Sequence, residues 1–254
     1  MMNTTPQVHY EYEWTITIGA TASNNGVETS VQACVCDETT GTPRVSTAGL
    51  SYTLINGSTT EYEVAAGIVT SGAVVIASKY EGLPVTAIAG AEGTLPNYTG
   101  SFANKTAITS VIIPDSIETI GVGVFASCSN LGSVKIGSSV TSIGEDVFLS
   151  CTVLTGIIIP NSVTSIGERA FYGCTSLTSV EIGTGITSIG NHAFAYNKPK
   201  DDYLNVTIYA EIPPELGVSV FSALSTYGTH LAEQIKVPSS SVDAYKSALN
   251  LGIV

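Results

Sequence analysis

The chain repeats itself every 23 residues between Ile108 and Asn197, and this repeat limits the possible folds more than any other feature of the sequence. Each copy holds the pattern Gly-x-x-x-Phe, followed three residues later by Cys or Asn and then by two groups of regularly spaced apolar residues. The four copies are Gly121–Phe125, Gly144–Phe148, Gly167–Phe171 and Gly190–Phe194. A fixed period of this length is typical of a solenoid, in which each repeat buries its apolar face against its neighbours.

The spacing within one copy predicts the path of the chain. Leu177, Val180 and Ile182 are separated by polar residues, which predicts a strand that points these three side chains inward. A second, shorter inward-facing segment ends at Gly167, where a tight turn needs a residue without a side chain. Glu168–Phe171 has helix-compatible spacing but is too short for more than about one helical turn. We therefore predict a solenoid of parallel β rungs joined by short helical or 3-10 turns, with each Phe filling the interior of its rung.

The period also divides the chain into regions. Residues 1–50 do not follow it, and their alternating pattern and turn signals predict a small β module or N-terminal extension. The remainder, 51–254, is expected to form the solenoid, with capping structure at both ends of its core. We predict a capping hairpin at 51–73, about seven rungs at 74–237, and a C-terminal cap with a helix at 238–254.

The first rung is longer than the others. Val74 and Val111 occupy equivalent places but are 37 positions apart instead of 23. The additional residues fall at Tyr80–Pro84 and between Ile88 and Phe102. Such insertions emerge as loops that often carry function, but we favour a tolerated surface insertion here.

The regular copies resemble a known family. Residues 159–180 read Ile-Pro-Asn-Ser-Val-Thr-Ser-Ile-Gly-Glu-Arg-Ala-Phe-Tyr-Gly-Cys-Thr-Ser-Leu-Thr-Ser-Val, which is similar to the BspA-type leucine-rich repeat. The resemblance is specific over 108–197 and looser over 74–107 and 203–249. It implies a right-handed leucine-rich-repeat solenoid. Because that family occurs in bacterial and some protist surface proteins, it also implies cell-surface adhesion, or binding of host or microbial macromolecules, without catalysis.

Composition and charge restrict the partners and the location. The formal net charge is −12 and the pI is near 4.5, so the phosphate backbone of a nucleic acid would be repelled. The sequence holds no basic cluster for an anionic membrane and no apolar run long enough for a transmembrane helix. We expect an extracellular or cell-surface protein whose leader has been removed, with no nucleic-acid partner and no membrane insertion.

The cysteines predict core packing. Cys128, Cys151 and Cys174 share one column of the repeat, which favours buried thiols over a zinc site, because zinc needs four convergent ligands. Cys34 and Cys36 lie on one face of a predicted strand and are too few to hold a metal. They are the first place to look for oxidation. We predict no metal and no cofactor.

Catalytic motifs are missing from the sequence. The histidines are His9, His192 and His230, and none belongs to a recognisable nucleophile elbow or triad sequence. No phosphate-cradling glycine loop is present either. The glycines recur because rungs must turn, and we predict a protein that is not an enzyme.

One pair of columns concentrates charge after the repeat glycine. Glu145 and Asp146 in one copy precede Glu168 and Arg169 in the next. A calcium ion could bridge such carboxylates, but we favour a solvated surface with an exposed ion pair worth well under about 1 kcal/mol.

The outward positions of the long strands are candidates for binding. We expect them to form a concave face of about 600 Å², smaller than the roughly 800 Å² per partner of a standard interface. Small neutral residues dominate this face, so a weak contact that gains from multivalency is expected. Its two columns are Ser110, Ser133, Gly156, Ser179 and Asn205, and Ile112, Lys135, Ile158, Glu181 and Thr207.

A further candidate lies where the regular repeat ends. Aromatic rings near carboxylates and an amide suit a sugar ligand, and the residues are Tyr196, Asp201, Asp202, Tyr203, Asn205 and Tyr209. The leading prediction is a non-enzymatic, secreted or cell-surface binding or adhesion protein whose partner is a protein or glycan. The alternatives are a structural spacer of a larger surface protein and a carbohydrate-binding module. The sequence does not predict an oligomeric state.

Overall fold

The computed structural model describes residues 34–36, 43–55, 58–93, 98–99, 101–197, 204–221 and 235–248. These residues belong to one compact unit of the chain, residues 31–254. Most of the module predicted for residues 1–50 lies outside the described residues.

Short strands make up most of the described chain. In order they are β1 (Cys34–Cys36), β2 (Pro43–Val45), β3 (Ser51–Leu54), β4 (Tyr62–Ala65), β5 (Ser71–Val75), β6 (Lys79–Tyr80), β7 (Leu83–Ile88), β8 (Ala107–Ile112), β9 (Thr119–Ile120), β10 (Ser133–Lys135), β11 (Ser142–Ile143), β12 (Gly156–Ile159), β13 (Ser165–Ile166), β14 (Ser179–Ile182), β15 (Ser188–Ile189), β16 (Asn205–Ile208), β17 (Glu215–Leu216) and β18 (Ile235–Lys236). One helix, α1 (Val242–Ala248), follows.

Two sides of the solenoid are parallel ladders. The first side, here the first face, consists of a three-stranded sheet in the order β10-β8-β5 and a four-stranded sheet in the order β12-β14-β16-β18. The second face is a nine-stranded sheet in the order β17-β15-β13-β11-β9-β7-β4-β3, with β6 paired to β7. Within residues 101–197 no strand pairing joins β10 to β12, so the first face is two ladders where the sequence predicted one. The predicted solenoid of parallel rungs is confirmed.

The third side consists of hydrogen-bonded turns. Their amides make the i→i−3 bonds of a 3-10 helix, such as Tyr172 N to Arg169 O at 3.0 Å. Alternate amides donate instead to the next repeat, for example Asp146 N to Glu168 O at 3.0 Å and Phe148 N to Ala170 O at 2.8 Å. Two positions per copy have a left-handed backbone, including Asp146 with φ 56°. Because such positions interrupt a right-handed helix, the segment stays a series of turns.

A column of phenylalanine rings runs through the core. Successive ring centroids are 5.0 to 5.5 Å apart, and every ring is buried. The four rings of the regular copies form one column, as the repeat predicted. The full column is Phe102, Phe125, Phe148, Phe171, Phe194 and Phe221.

Threonine hydroxyls bond each repeat to the one before it. Thr164 Oγ1 donates to Thr141 O at 3.1 Å, and Thr187 Oγ1 donates to Thr164 O at 2.9 Å. Each such bond contributes a net of about 0.5–1.5 kcal/mol. The low content of charged residues is therefore matched by uncharged polar side chains that join the rungs.

Capping structure covers both ends of the described core. At the start, β3 pairs antiparallel with β4, and the Tyr52 ring stacks on Tyr80 at 4.2 Å. At the other end, Tyr245 of α1 is buried and its hydroxyl donates to Ala210 O at 3.0 Å. Ser241 precedes α1, and its hydroxyl donates to Glu211 Oε2 at 2.9 Å. Its carbonyl accepts the first helical bond from Tyr245 N, as expected for an N-cap residue.

Substituting Gly167 by alanine is expected to destabilise the fold by about 1–3 kcal/mol. A Cβ at this position would lie 2.6 Å from Glu145 N and from Gly144 C, and backbone atoms of the preceding repeat cannot move aside easily. The free energy of unfolding from urea titration measures the effect. Gly156→Ala is the matched control, because its Cβ would be 3.6 Å from Ser179 O. Equal losses in the two variants would contradict the explanation.

Candidate functional site

The two predicted columns of the first face are in register. One ladder pairs Ser110 with Ser133 and Ile112 with Lys135. In the other ladder the columns are Gly156, Ser179 and Asn205, and Ile158, Glu181 and Thr207. Their role in binding stays a prediction.

Exposure varies along these columns. Ile158 is the most exposed apolar side chain among them, with 65% of its surface accessible. Lys135, Ser133, Ser179 and Asn205 are also exposed. Ser110, Ile112, Glu181 and Thr207 are half-buried.

Tyr209 adds an aromatic group to the first face. It follows β16, is 47% exposed, and its hydroxyl donates to Glu181 Oε2 at 3.1 Å. The hydrogen bond to Glu181 and that carboxylate's charge raise the pKa of Tyr209. Glu181 is also the register partner of Ile158. We call Ile158, Glu181 and Tyr209 the Ile158 cluster; it joins an apolar side chain, a carboxylate and an aromatic ring on one exposed surface.

The second column continues beyond the sequence prediction. Thr207 pairs with Lys236, which is exposed on β18. Lys135, Glu181 and Lys236 therefore alternate in charge along this column. The sequence analysis missed Lys236, because the period loosens after Asn197 and only the Ile235 and Val237 spacing indicates a strand there.

A shallow groove of about 610 Å³ lies on the second face. It was not predicted, although the repeated Ser-Ile-Gly sequence marks its position. Three serines, one from each of three rungs, line it, and none makes a side-chain hydrogen bond to another described residue. The groove residues are Ser142, Ile143, Gly144, Ser165, Ile166, Gly167, Ser188, Ile189, Gly190, Glu215, Leu216 and Gly217.

The charged columns form a partly buried cluster, so the predicted solvated ion pair is wrong. Asp146 is fully buried and accepts hydrogen bonds from Arg169 Nε at 2.9 Å and from Tyr98 Oη at 2.7 Å. Arg169 also bonds Glu145 Oε1 at 2.6 Å and contacts Glu168. Its hydrogen bond to Asp146 raises the pKa of Arg169, and burial followed by the Asp146 contact raises the pKa of Tyr98. Tyr98 comes from the insertion, so no feature of the repeat indicates it.

The core cysteines are free thiols, as predicted. The sulfur of Cys151 donates to Phe125 O at 3.3 Å, and Cys128 and Cys174 make the equivalent bonds. Burial raises the pKa of Cys128 and of Cys174 to about 12, so these thiols stay protonated and unreactive at neutral pH. Asn197 replaces the next Cys, and its Oδ1 accepts from Cys174 N at 2.8 Å. For Cys34 and Cys36 the structure describes the strand alone, and the prediction about their oxidation stays a prediction.

No metal centre or membrane-spanning helix is found in the described part of the chain. Its His, Cys, Asp and Glu side chains form no group of three or more suited to a metal ion. Its helical segment is too short and too polar to cross a bilayer. His192 is half-buried in a turn, with φ 55°, while His9 and His230 lie outside the described residues.

The residues of the predicted sugar site lie on different sides of the solenoid. Tyr196 belongs to a turn segment, where its ring contacts Tyr172. On the first face, Asn205 begins β16 and Tyr209 follows its last residue. Residues 201–203, including Asp201, Asp202 and Tyr203, are outside the described residues.

Comparison with known proteins identifies similar folds. The structure of a leucine-rich repeat protein from T. pallidum is 20% identical, with a TM-score of 0.54, over 79% of this chain and 93% of that one. A leucine-rich cell surface protein from Faecalibacterium prausnitzii is 23% identical, with a TM-score of 0.45, over 69% of this chain. The match covers 50% of that protein, so the present chain spans about half its length. None of the curated proteins is detectably similar.

The sequence itself matches a family description. The BspA type leucine rich repeat region fits residues 97–223 in six copies, which is half of the chain. The match covers the Phe column, the cysteine column and strands β8 to β17 of the two faces. The chain therefore belongs to the BspA-type leucine-rich repeat family.

Proposed function

We propose that this chain is a non-enzymatic protein, secreted or held at a cell surface, that binds other proteins through the first face of its solenoid. The observation that carries the proposal is the Ile158 cluster. An exposed isoleucine, whose register neighbour is the carboxylate that accepts a tyrosine hydroxyl, gives an apolar centre with a polar rim, which is the usual arrangement of an interface.

The charges of the second column favour a specific register. Lys135 and Lys236 lie on either side of Glu181 along this column. A partner whose facing charges are negative, positive and negative is therefore favoured over one whose charges have the opposite signs. The face is small, and single contacts are weak. Several copies at a surface would raise the effective affinity without any new contact.

Two further observations support a surface location. The F. prausnitzii protein with a similar fold is described as a cell surface protein. The low charge content and the buried, unreactive thiols are compatible with an oxidising exterior. We also propose that residues 51–254 are the binding unit and that residues 1–50 are a separate module.

A capture experiment with matched variants tests the proposal. The chain is immobilised and exposed to proteins from a surface or matrix extract, and the captured protein is then titrated against each variant. We expect Ile158→Ser with Glu181→Gln to weaken binding about tenfold or more, because removal of a hot-spot side chain costs over about 1–2 kcal/mol. Lys135→Gln should change mainly the association rate and its salt dependence.

The control is Val153→Ser, which alters a valine that is 40% exposed and lies outside both columns. Binding should be unchanged in this variant. If the first-face variants bind as well as the parent chain, the first face is not the binding surface. If no protein is captured, the spacer function replaces the proposal.

A further inference from the structure

We infer that the turn side of the solenoid carries a saccharide-binding site built around Tyr196, separate from the protein-binding surface proposed above. The ring of Tyr196 is 63% exposed, which is unusual for an aromatic side chain in this chain's turns. It contacts Tyr172 with ring centroids 4.9 Å apart and planes tilted by 42°. The two rings form a small aromatic platform at the surface.

The residue type at the Tyr196 position is the second observation. Its φ is 58°, in the left-handed region that every described copy adopts at this position. The other described residues of this column have small side chains or none: Asn104, Ser127, Ser150 and Gly173. Tyrosine is the exception in the column. Because the same turn forms with small residues in the other copies, the turn itself does not require the exposed ring.

The two preceding members of the column shape the space beside the ring. Gly173 has no side chain, and a Cβ there would have Ser150 as its only neighbour, with Ser150 Oγ at 3.5 Å. The Ser150 hydroxyl is half-buried and makes no side-chain hydrogen bond to the described residues. Ser150, Gly173 and Tyr196 are one rung apart, so the hydroxyl and the aromatic residue are separated by about 10 Å.

These features match the chemistry of a sugar ring. A pyranose has an apolar face of C–H groups, which stacks on an aromatic ring, and a rim of hydroxyls, which bond a serine hydroxyl. A ring laid over Gly173 would reach both Tyr196 and Ser150. The platform consists of two tyrosine rings, which form too small an apolar centre for a standard protein interface of roughly 800 Å² per partner.

Affinity electrophoresis of the whole chain tests this inference. The probes are gels that contain α-mannan, arabinogalactan, a soluble β-glucan or gastric mucin. We expect at least one gel to slow the migration of the parent chain. In that gel, the retardation of Tyr196→Asn should be smaller by about tenfold or more. Asparagine suits the test because it occupies the same column at Asn104 and tolerates the backbone. Its Tm should stay within about 2–4 °C of the parent, which excludes unfolding as the cause.

Two controls separate this site from the first face. Tyr209→Ala removes an exposed tyrosine on the first face and should keep the retardation. Ile158→Ser should also be retarded like the parent chain. Tyr196→Asn should still bind the protein captured by the first face. The inference is overturned if no gel slows the parent chain, if Tyr196→Asn is slowed equally, or if Tyr196→Asn loses a protein partner instead.

Discussion

Truncating Phe148 to alanine is expected to reduce the free energy of unfolding by about 3–5 kcal/mol. Phe148 is fully buried, and its ring lies between Phe125 at 5.4 Å and Phe171 at 5.1 Å. Alanine would leave a cavity between two rigid rings, and the rungs cannot close it because their ladder hydrogen bonds fix the spacing. In a solenoid each repeat is stabilised by its neighbours, so the substitution weakens the packing of the repeats on both sides of Phe148.

Urea denaturation followed by circular dichroism measures this loss. Val153→Ala is the control in the same repeat, because a valine that is 40% exposed should contribute less than about 0.5 kcal/mol. A loss below about 1 kcal/mol for Phe148→Ala would mean that the Phe column does not support the fold.

Replacing Asp146 by alanine is expected to cost about 2–4 kcal/mol, slightly less than a fully buried ion pair because its partner Arg169 is partly exposed. The Asp146 side chain has no accessible surface, while that of Arg169 is 26% accessible. Alanine removes the acceptor of Arg169 Nε and of the Tyr98 hydroxyl, and it places a less tolerant residue at φ 56°. Asp146→Asn keeps the backbone preference and should lose about half as much.

A double-mutant cycle of Asp146→Ala with Tyr98→Phe isolates the contact between the insertion and the repeats. Coupling of about 0.5–3 kcal/mol is expected for residues joined by a buried hydrogen bond. Glu168→Gln is the control, because this carboxylate is 38% accessible and should matter by less than about 1 kcal/mol. Additive losses for Asp146 and Tyr98 would show that the insertion is not anchored there.

The core of this protein is predictable from the sequence because each copy repeats the same inward positions. Phe125, Phe148 and Phe171 fall in one column because stacking rungs places equivalent residues about 4.8 Å apart. Cys151 is buried for the same reason. The C-terminal helix is predictable from local signals, since Ser241 precedes apolar residues at helical spacing.

The contacts of the turn side are not predictable from the period. Tyr98 reaches Asp146 from an insertion, and only the folded chain brings residues 48 positions apart together. The left-handed backbone of Tyr196 is also not predictable, because tyrosine does not signal it as glycine or asparagine would. Charge spacing alone therefore indicated a solvated pair where the structure has a partly buried cluster.

The position of the candidate site is predictable from the sequence, but the side-chain contacts within it are not. Strand alternation places Ile158 and Glu181 on the outer surface of the first face, and the ladder confirms their register. The hydrogen bond from Tyr209 to Glu181 depends on a side chain beyond the strand end, which alternation does not describe.

Hydroxyl-radical footprinting of the chain alone and in complex with its captured protein partner tests the central claim most directly. Ile158 and Tyr209 are 65% and 47% exposed on the first face, while Tyr196 and Val218 are 63% and 67% exposed in turn segments. We predict that labelling of Ile158 and Tyr209 falls strongly in the complex and that labelling of Tyr196 and Val218 does not change. Protection of Tyr196 or Val218 with full labelling of Ile158 and Tyr209 would contradict binding through the first face.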